Sequence, residues 1–131
     1  ENADFNRDAM ANALRSTVGN RLSNSTIEKV CRNAASSWSQ SGHLEGRTFK
    51  KRHLVHATPA SVAYAIYLAH AAGFRGPETF ASGWLRLLDC DPSDARRLAL
   101  EAKQLGLIDL RMAGDVVDLN LSRLDPYSRG A

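Results

Sequence analysis

The densest set of chemistry-bearing residues is SGHLEGRTFKKRHLVHATP, residues 41–59. It holds Arg47, Lys50, Lys51 and Arg52, four of the seventeen basic side chains, and His43, His53 and His56, three of the four histidines. Two chemistries suit such a set: histidines on paired strands could bind a metal, and clustered cations could grip phosphates. A solvated turn would carry the same charges. Zinc takes four ligands, typically in short paired spacings such as CxxC, and no second pair accompanies these histidines. No metal and no cofactor is therefore expected, and phosphate contact or hairpin packing is the better role for the three. His70, set among apolar residues, is expected to be a hydrogen-bonded core histidine.

Covalent and acid–base chemistry find little to work with. The chain has no Gly-rich phosphate loop, no HExxH and no GxSxG. Cys31 and Cys90 fall on or beside apolar helix faces, as packing thiols do, and read as reduced cysteines of a cytoplasmic protein. Asp89 and Asp91 are explained by helix capping and the helix dipole. No catalytic residue is assigned and the chain is read as non-enzymatic. Base-stacking surfaces need exposed aromatics interleaved with cations. Trp38, Phe80 and Trp84 lie on apolar stripes and are expected in the core. Phe49, beside Lys50 and Lys51, is the one aromatic whose exposure the sequence leaves open.

The elements that must position these residues fit a chain of 131 residues, 44% hydrophobic and 24% charged, which is ordinary globular composition. Roughly two thirds of the extended surface could be buried on folding. No apolar run approaches the roughly 20 residues of a membrane span, and no membrane contact is expected. Glu1 rather than Met stands first, as in a segment of a longer protein. Net charge is +3 but unevenly spread. Residues 21–56 set Arg21, Lys29, Arg32, Arg47, Lys50, Lys51 and Arg52 against Glu28 and Glu45. Residues 89–118 carry seven acids against Arg96, Arg97, Lys103 and Arg111. Only the first half should attract a polyanion.

Helical spacing in DFNRDAMANALRSTV, with Phe5, Ala9, Ala13, Met10 and Leu14, predicts a first helix closed by Gly19. A second opens at residues 23–25, where Ser25 and Glu28 match a capping box. In it Ile27, Val30, Cys31, Ala34, Ala35 and Trp38 form an apolar stripe, Lys29, Arg32, Asn33, Ser36, Ser37 and Gln40 lie opposite, and Gly42 caps the end. HLEGRTF and RHLVH then read as short strands with Lys50–Lys51 near their turn. Thr58 and Pro59 start a nearly all-apolar helix ended by Gly73. GPETFASGWLRLLDC should follow as a helix with Phe80, Trp84, Leu87 and Leu88 on one face. Asp91–Pro92 starts SDARRLALEAKQL, with Ala95, Leu98, Ala99, Ala102 and Leu105 inward. LIDLRM and VVDLNL read as a hairpin around residues 113–115. SQSGHLEGR and KQLGLIDLR suggest a weak internal repeat.

TPASVAYAIY through WLRLLDCDPSDARRLALEAKQLGLIDLRMAGDVVDLNL resembles the winged helix-turn-helix superfamily, covering three helices and a wing. STIEKVCRNAASSWSQSGHLEGR is similar to the third helix and wing of a second copy, with room for one helix before it. A weaker similarity, limited to the C-terminal arrangement, is to BrxA-like proteins of BREX phage-defence systems. The expected fold is mainly α with small β-hairpins: two abutting winged-helix-like modules over 1–57 and 58–124, sharing a core around 58–73, then a fraying polar tail, 125–131. The resemblance implies that the third helix enters the major groove and the wing meets the backbone. Lys29, Arg32, Asn33 and Ser36 would then face the groove, and Arg47, Lys50, Lys51 and Arg52 would meet phosphates. The expected partner is double-stranded DNA, bound non-enzymatically, in a phage-defence or regulatory assembly. The acidic second module would dock a protein or a second copy. The rival expectation is an interaction or scaffold module whose basic face meets an acidic protein.

Overall fold

Asn6, not Asp4, begins the first helix: its side chain accepts the Ala9 amide at 3.0 Å and caps α1, Arg7–Val18. Gly19 closes it at φ 61°. The computed structural model describes residues 1–127, and the last residues of the expected tail, 128–131, lie outside them. Backbone contacts divide the chain into two units, Glu1–Val55 and His56–Ala131. Each is helical with one small antiparallel two-stranded sheet.

In the first unit the half-buried side of α1 is Met10, Ala11, Leu14 and Val18, while Ala9 and Ala13 are exposed, so the apolar stripe runs one position later than its alanines suggest. α2 spans Asn24–Gln40. Its cap is Ser23, whose Oγ accepts the Thr26 amide at 3.2 Å, so the Ser25–Glu28 capping box does not form. Ser23 is extended at ψ 159°, and that geometry starts the helix two residues before Ser25. Ile27, Cys31 and Ala35 are buried, and Val30, Ala34 and Trp38 half-buried, as the stripe requires. At its end Gly42 takes φ 87°, Gly42 N donates to Ser39 O and His43 N donates to Trp38 O. That pair of bonds is a Schellman turn, which aims the chain back into a strand.

The strands that follow are shorter than expected: β1 is Leu44–Glu45 and β2 is Lys51–Arg52, with Leu44 opposite Arg52 and Glu45 opposite Lys51. Gly46 at φ 115° ends β1 at once, and residues 53–58 form no strand. β2's other edge is taken by the segment before α1. Asn2 N donates to Arg52 O, Arg52 N to Ala3 O and Phe5 N to Lys50 O, at 2.7–2.8 Å. This third partner was not expected. It satisfies edge groups that a two-residue hairpin would leave to water.

In the second unit Thr58 and Ser61 cap each other's amides, and Pro59 stands first in α3, Pro59–Ala71. The expected next helix is two pieces: a 3-10 turn, Gly76–Ala81, and one turn of α-helix, α4, Gly83–Arg86. Ser82, extended at ψ 158°, separates them and shifts their phase. Phe80 and Leu85 are consequently buried, whereas Trp84 is 37% and Leu87 44% exposed. Asp91 caps α5, Pro92–Gln104, by accepting the Asp94 amide at 2.8 Å. Ala95, Leu98, Ala99 and Ala102 point inward, but Leu105, where the helix has ended, is exposed. Ile108 and Leu110 take the core positions beyond it. β3, Asp109–Ala113, pairs with β4, Val116–Asn120, across a two-residue turn whose Gly114 has φ 59°.

Val62, Ile66, Phe80, Leu85, Leu98, Ile108, Leu110 and Leu121 meet in one core, with α3 against α5, α4 and the 3-10 turn. Leu124, just before the expected tail, packs on this core, and its amide bonds to Leu121 O at 2.9 Å. The hydroxyls of Thr79 and Ser82 are buried without a partner among the described residues. An unpaired buried hydroxyl costs free energy that a methyl of the same shape does not. Thr79→Val is thus expected to raise unfolding stability by about 1 kcal/mol, read as a higher urea midpoint at unchanged m-value.

Both units end on the same local plan. A helix stops at a left-handed glycine (Gly42, Gly106), and a buried apolar residue two positions on (Leu44, Ile108) leads into a hairpin. Gly106 N donates to Lys103 O and Leu107 N to Ala102 O, repeating the turn after α2. Among the described residues no helix is long and apolar enough to cross a membrane.

Candidate nucleic-acid interface

Burial of Ile27, Cys31 and Ala35 turns the opposite face of α2 to solvent, and Lys29, Arg32, Asn33 and Ser36 are all exposed on it. They stand at i, i+3, i+4 and i+7, one face of the helix. Among the described residues the side chains of Lys29 and Arg32 make no hydrogen bond or ion pair. Arg32 borders a cavity of about 290 Å³ together with Arg7, Asp8, Arg15 and Glu28. Arg7 and Arg15 were not singled out from the sequence. Their signal was a spacing of eight around Ala11, two helical turns along the side of α1 that lines this cavity.

The four cations of the expected wing divide. Arg47 is exposed in the loop 46–50, with no side-chain partner among the described residues. Lys50 folds back, its Nζ donating to Gly46 O at 3.0 Å. Lys51, inside β2 rather than at the turn, lies 3.5 Å from Asp4, an exposed pair that solvent weakens. Arg52 is half-buried and its guanidinium donates to His53 O. Phe49, left open by the sequence, is 88% exposed. Since β1 packs on α2 through the Gly42 turn, the loop is carried directly by the helix whose polar face is free.

The histidines frame the hairpin separately. His53 N donates to His43 O across the strands. The His43 ring lies edge-on to Trp38 at 4.8 Å, with Nδ1 2.7 Å from Ser41 Oγ. Trp38, expected in the core, is half-buried. His53 Nδ1 sits 2.9 Å from Leu54 O and its Nε2 3.7 Å from Glu45. Among the described residues no three His, Cys, Asp or Glu side chains converge on a point.

His70 corrects an expectation. It is half-buried beside a cavity of about 400 Å³ lined also by Tyr67, Ser122 and Asp125, and its Nδ1 is buried without a hydrogen-bond partner among the described residues. Burial first, and the Arg75 guanidinium second, hold the ring below the ordinary value of 6.5, so it stays neutral at neutral pH. Both cysteines are buried and unpaired. Burial pushes the Cys90 thiol up, and the Asp94 and Asp91 carboxylates add to the push, which disfavours the thiolate a nucleophile needs.

α5 occupies the corresponding place in the second unit and uses Arg96 and Arg97 internally. Arg97 pairs with Glu101 at 2.8 Å and Asp94 at 3.6 Å, and Arg96 lies over the Phe80 ring at 5.4 Å. On the outer face of the hairpin Arg111 stands opposite Asp118, and Asp109 is 3.9 Å from Arg123. A phosphate approaching this face would meet carboxylates already in place. Comparison of the chain with protein-family models, curated proteins and solved structures finds no match.

Proposed function

We propose that the first unit binds double-stranded DNA as a winged-helix-like module. α2 lies in the major groove and the loop 46–50 lies against the backbone. The observation that carries this reading is the contrast between the two corresponding helices. Among the described residues α2 offers Lys29 and Arg32 unpaired on a solvent face, whereas α5 pairs Arg97 with its own carboxylates. Unpaired cations release counterions on meeting phosphate; cations already neutralised gain little. Arg32 and Asn33 also have the chemistry to read guanine and adenine edges.

The test is fluorescence anisotropy of a labelled random-sequence duplex titrated with the full chain at several salt concentrations. Micromolar affinity and a log–log salt slope near −4, corresponding to roughly four to five phosphates, are expected. Arg32→Ala should weaken binding by roughly 5- to 100-fold. Lys50→Ala should weaken all sequences alike and reduce the slope by about 1. Arg97→Ala should change neither. Absence of binding at low salt, or equal affinity of the Arg32 and Lys50 variants with wild type, overturns the assignment.

A second reading belongs to the second unit, where Trp84 and Leu87 remain exposed beside internally neutralised charge. An aromatic and an aliphatic anchor without net cationic field suit a protein partner better than a nucleic acid.

A further inference from the structure

We propose that Phe49 stacks on an unpaired base, so that the loop 46–50 selects DNA carrying an unpaired nucleotide over perfect duplex. The inference rests on the nucleic-acid reading of the first unit and adds to it the kind of DNA preferred. The other exposed aromatics are less suited. Tyr64 already stacks on Tyr67, with centroids 6.5 Å apart; Trp84 stands in the unit where Arg97 is paired with its own carboxylates; and Tyr127, 90% exposed, follows Asp125, whose carboxylate accepts the Tyr127 amide at 2.9 Å. Among the described residues Phe49 combines near-complete exposure with flanking cations: Arg47 two positions before it, exposed and without a side-chain partner there, and Lys50 immediately after.

The backbone that carries Phe49 is held from several sides. Gly46 approaches so closely that a Cβ there would overlap the Phe49 carbonyl oxygen. Lys50 Nζ closes the loop on Gly46 O at 3.0 Å, and Phe5 N donates to Lys50 O at 2.8 Å. The ring is therefore presented by a fixed loop and makes no ring contact with another aromatic among the described residues. A π face between two cations is the arrangement that receives a base while neighbouring phosphates are neutralised. In perfect duplex every base face is covered by its neighbours, so the ring gains a partner only where a base is unstacked.

The experiment compares the full chain on a perfect duplex and on the same duplex with one unpaired 2-aminopurine, by anisotropy and by quenching of the 2-aminopurine emission. Wild type should bind the bulged duplex about tenfold more tightly and quench it. Phe49→Ala should lose both the preference and the quenching while keeping wild-type affinity for perfect duplex. Phe49→Trp should retain both. Phe49→Leu should lose both, since an aliphatic side chain has no face to stack; retention by leucine would indicate an apolar wedge and overturn the stacking assignment. If wild type binds perfect duplex with the expected salt slope but Phe49→Ala keeps its preference for the bulge, the stacking role fails alone. If wild type binds neither duplex, it fails together with the DNA reading.

Discussion

Phe80→Ala is expected to lower the stability of the second unit by about 3–5 kcal/mol, the range for removing a fully buried aromatic side chain. Phe80 is 1% exposed in the core formed with Val62, Ile66, Leu85 and Leu110. The 3-10 turn that carries it touches α3, α4, α5 and β4, so a cavity there would border four elements at once. The substitution also removes the ring beneath the Arg96 guanidinium, freeing a cation that the wild-type protein holds at 5.4 Å. A domain with a typical stability of roughly 5–15 kcal/mol would be left marginal. Phe80→Leu, which keeps most of the volume, should cost less than about 1.5 kcal/mol. Urea unfolding followed through Trp84, which lies in the same unit, measures both. A loss below about 1 kcal/mol for alanine would mean that this ring is not the centre of the core.

The helices were legible because their signals are local. Thr58–Pro59 and Asp91–Pro92 hold a side-chain cap and a pre-set φ within four residues, and both caps form. The stripe of α2 and the glycine after it depend on one periodicity and one left-handed residue, and both are seen. Failures came where the deciding partner is distant in sequence or where two candidates compete. Ser23 and Ser25 are both good caps, and the extended geometry at Ser23 chose between them. Nothing in HLEGRTF indicates that Ala3 will bond to Arg52 and Phe5 to Lys50, because these partners lie 49 and 45 residues apart. A single helical phase across GPETFASGWLRLLDC would make Trp84 a core residue. Ser82 breaks that phase, and Leu85 is buried in its place.

For the candidate site, charge was legible and its availability was not. The sequence contained Lys29, Arg32, Arg47, Lys50, Lys51 and Arg52, but equally Arg96, Arg97 and Arg111. What separates Lys29, Arg32 and Arg47 from Arg97 and Arg111 is the pairing of Arg97 at 2.8–3.6 Å with Glu101 and Asp94, and the opposition of Arg111 to Asp118 across a strand; Lys51, 3.5 Å from Asp4, belongs with the paired cations. The i, i+4 spacing of Arg97 and Glu101 could have anticipated the first of these. Arg7 and Arg15 could be added to the interface only once α1 was seen beside Arg32.

Gly46→Ala is expected to be the most damaging single-atom-scale change in the first unit, costing at least about 2 kcal/mol. Two penalties coincide there. At φ 115° any residue with a Cβ is strained, and that Cβ would overlap the Phe49 carbonyl oxygen, a backbone atom that cannot swing away as a side chain does. Gly114 separates the two effects, because it has φ 59° and no atom within 4 Å of an added Cβ. Gly114→Ala should therefore show the conformational penalty alone, about 1 kcal/mol. Relief at Gly46 requires the loop to open, which breaks the Lys50 Nζ bond to Gly46 O and loosens the strand pairing just beyond it. The amides of Phe5 and Arg52, bonded across β2, should then exchange with solvent faster, while the amides of α2, held by the helix itself, keep their protection. The share of perfect-duplex affinity carried by Lys29 and Arg32 should survive this change, and the preference for an unpaired base should not, because the ring of Phe49 would remain but its fixed presentation would be gone. Equal costs at Gly46 and Gly114, with unchanged exchange at Phe5 and Arg52, would show that the loop yields freely and that its backbone does not hold Phe49 in place.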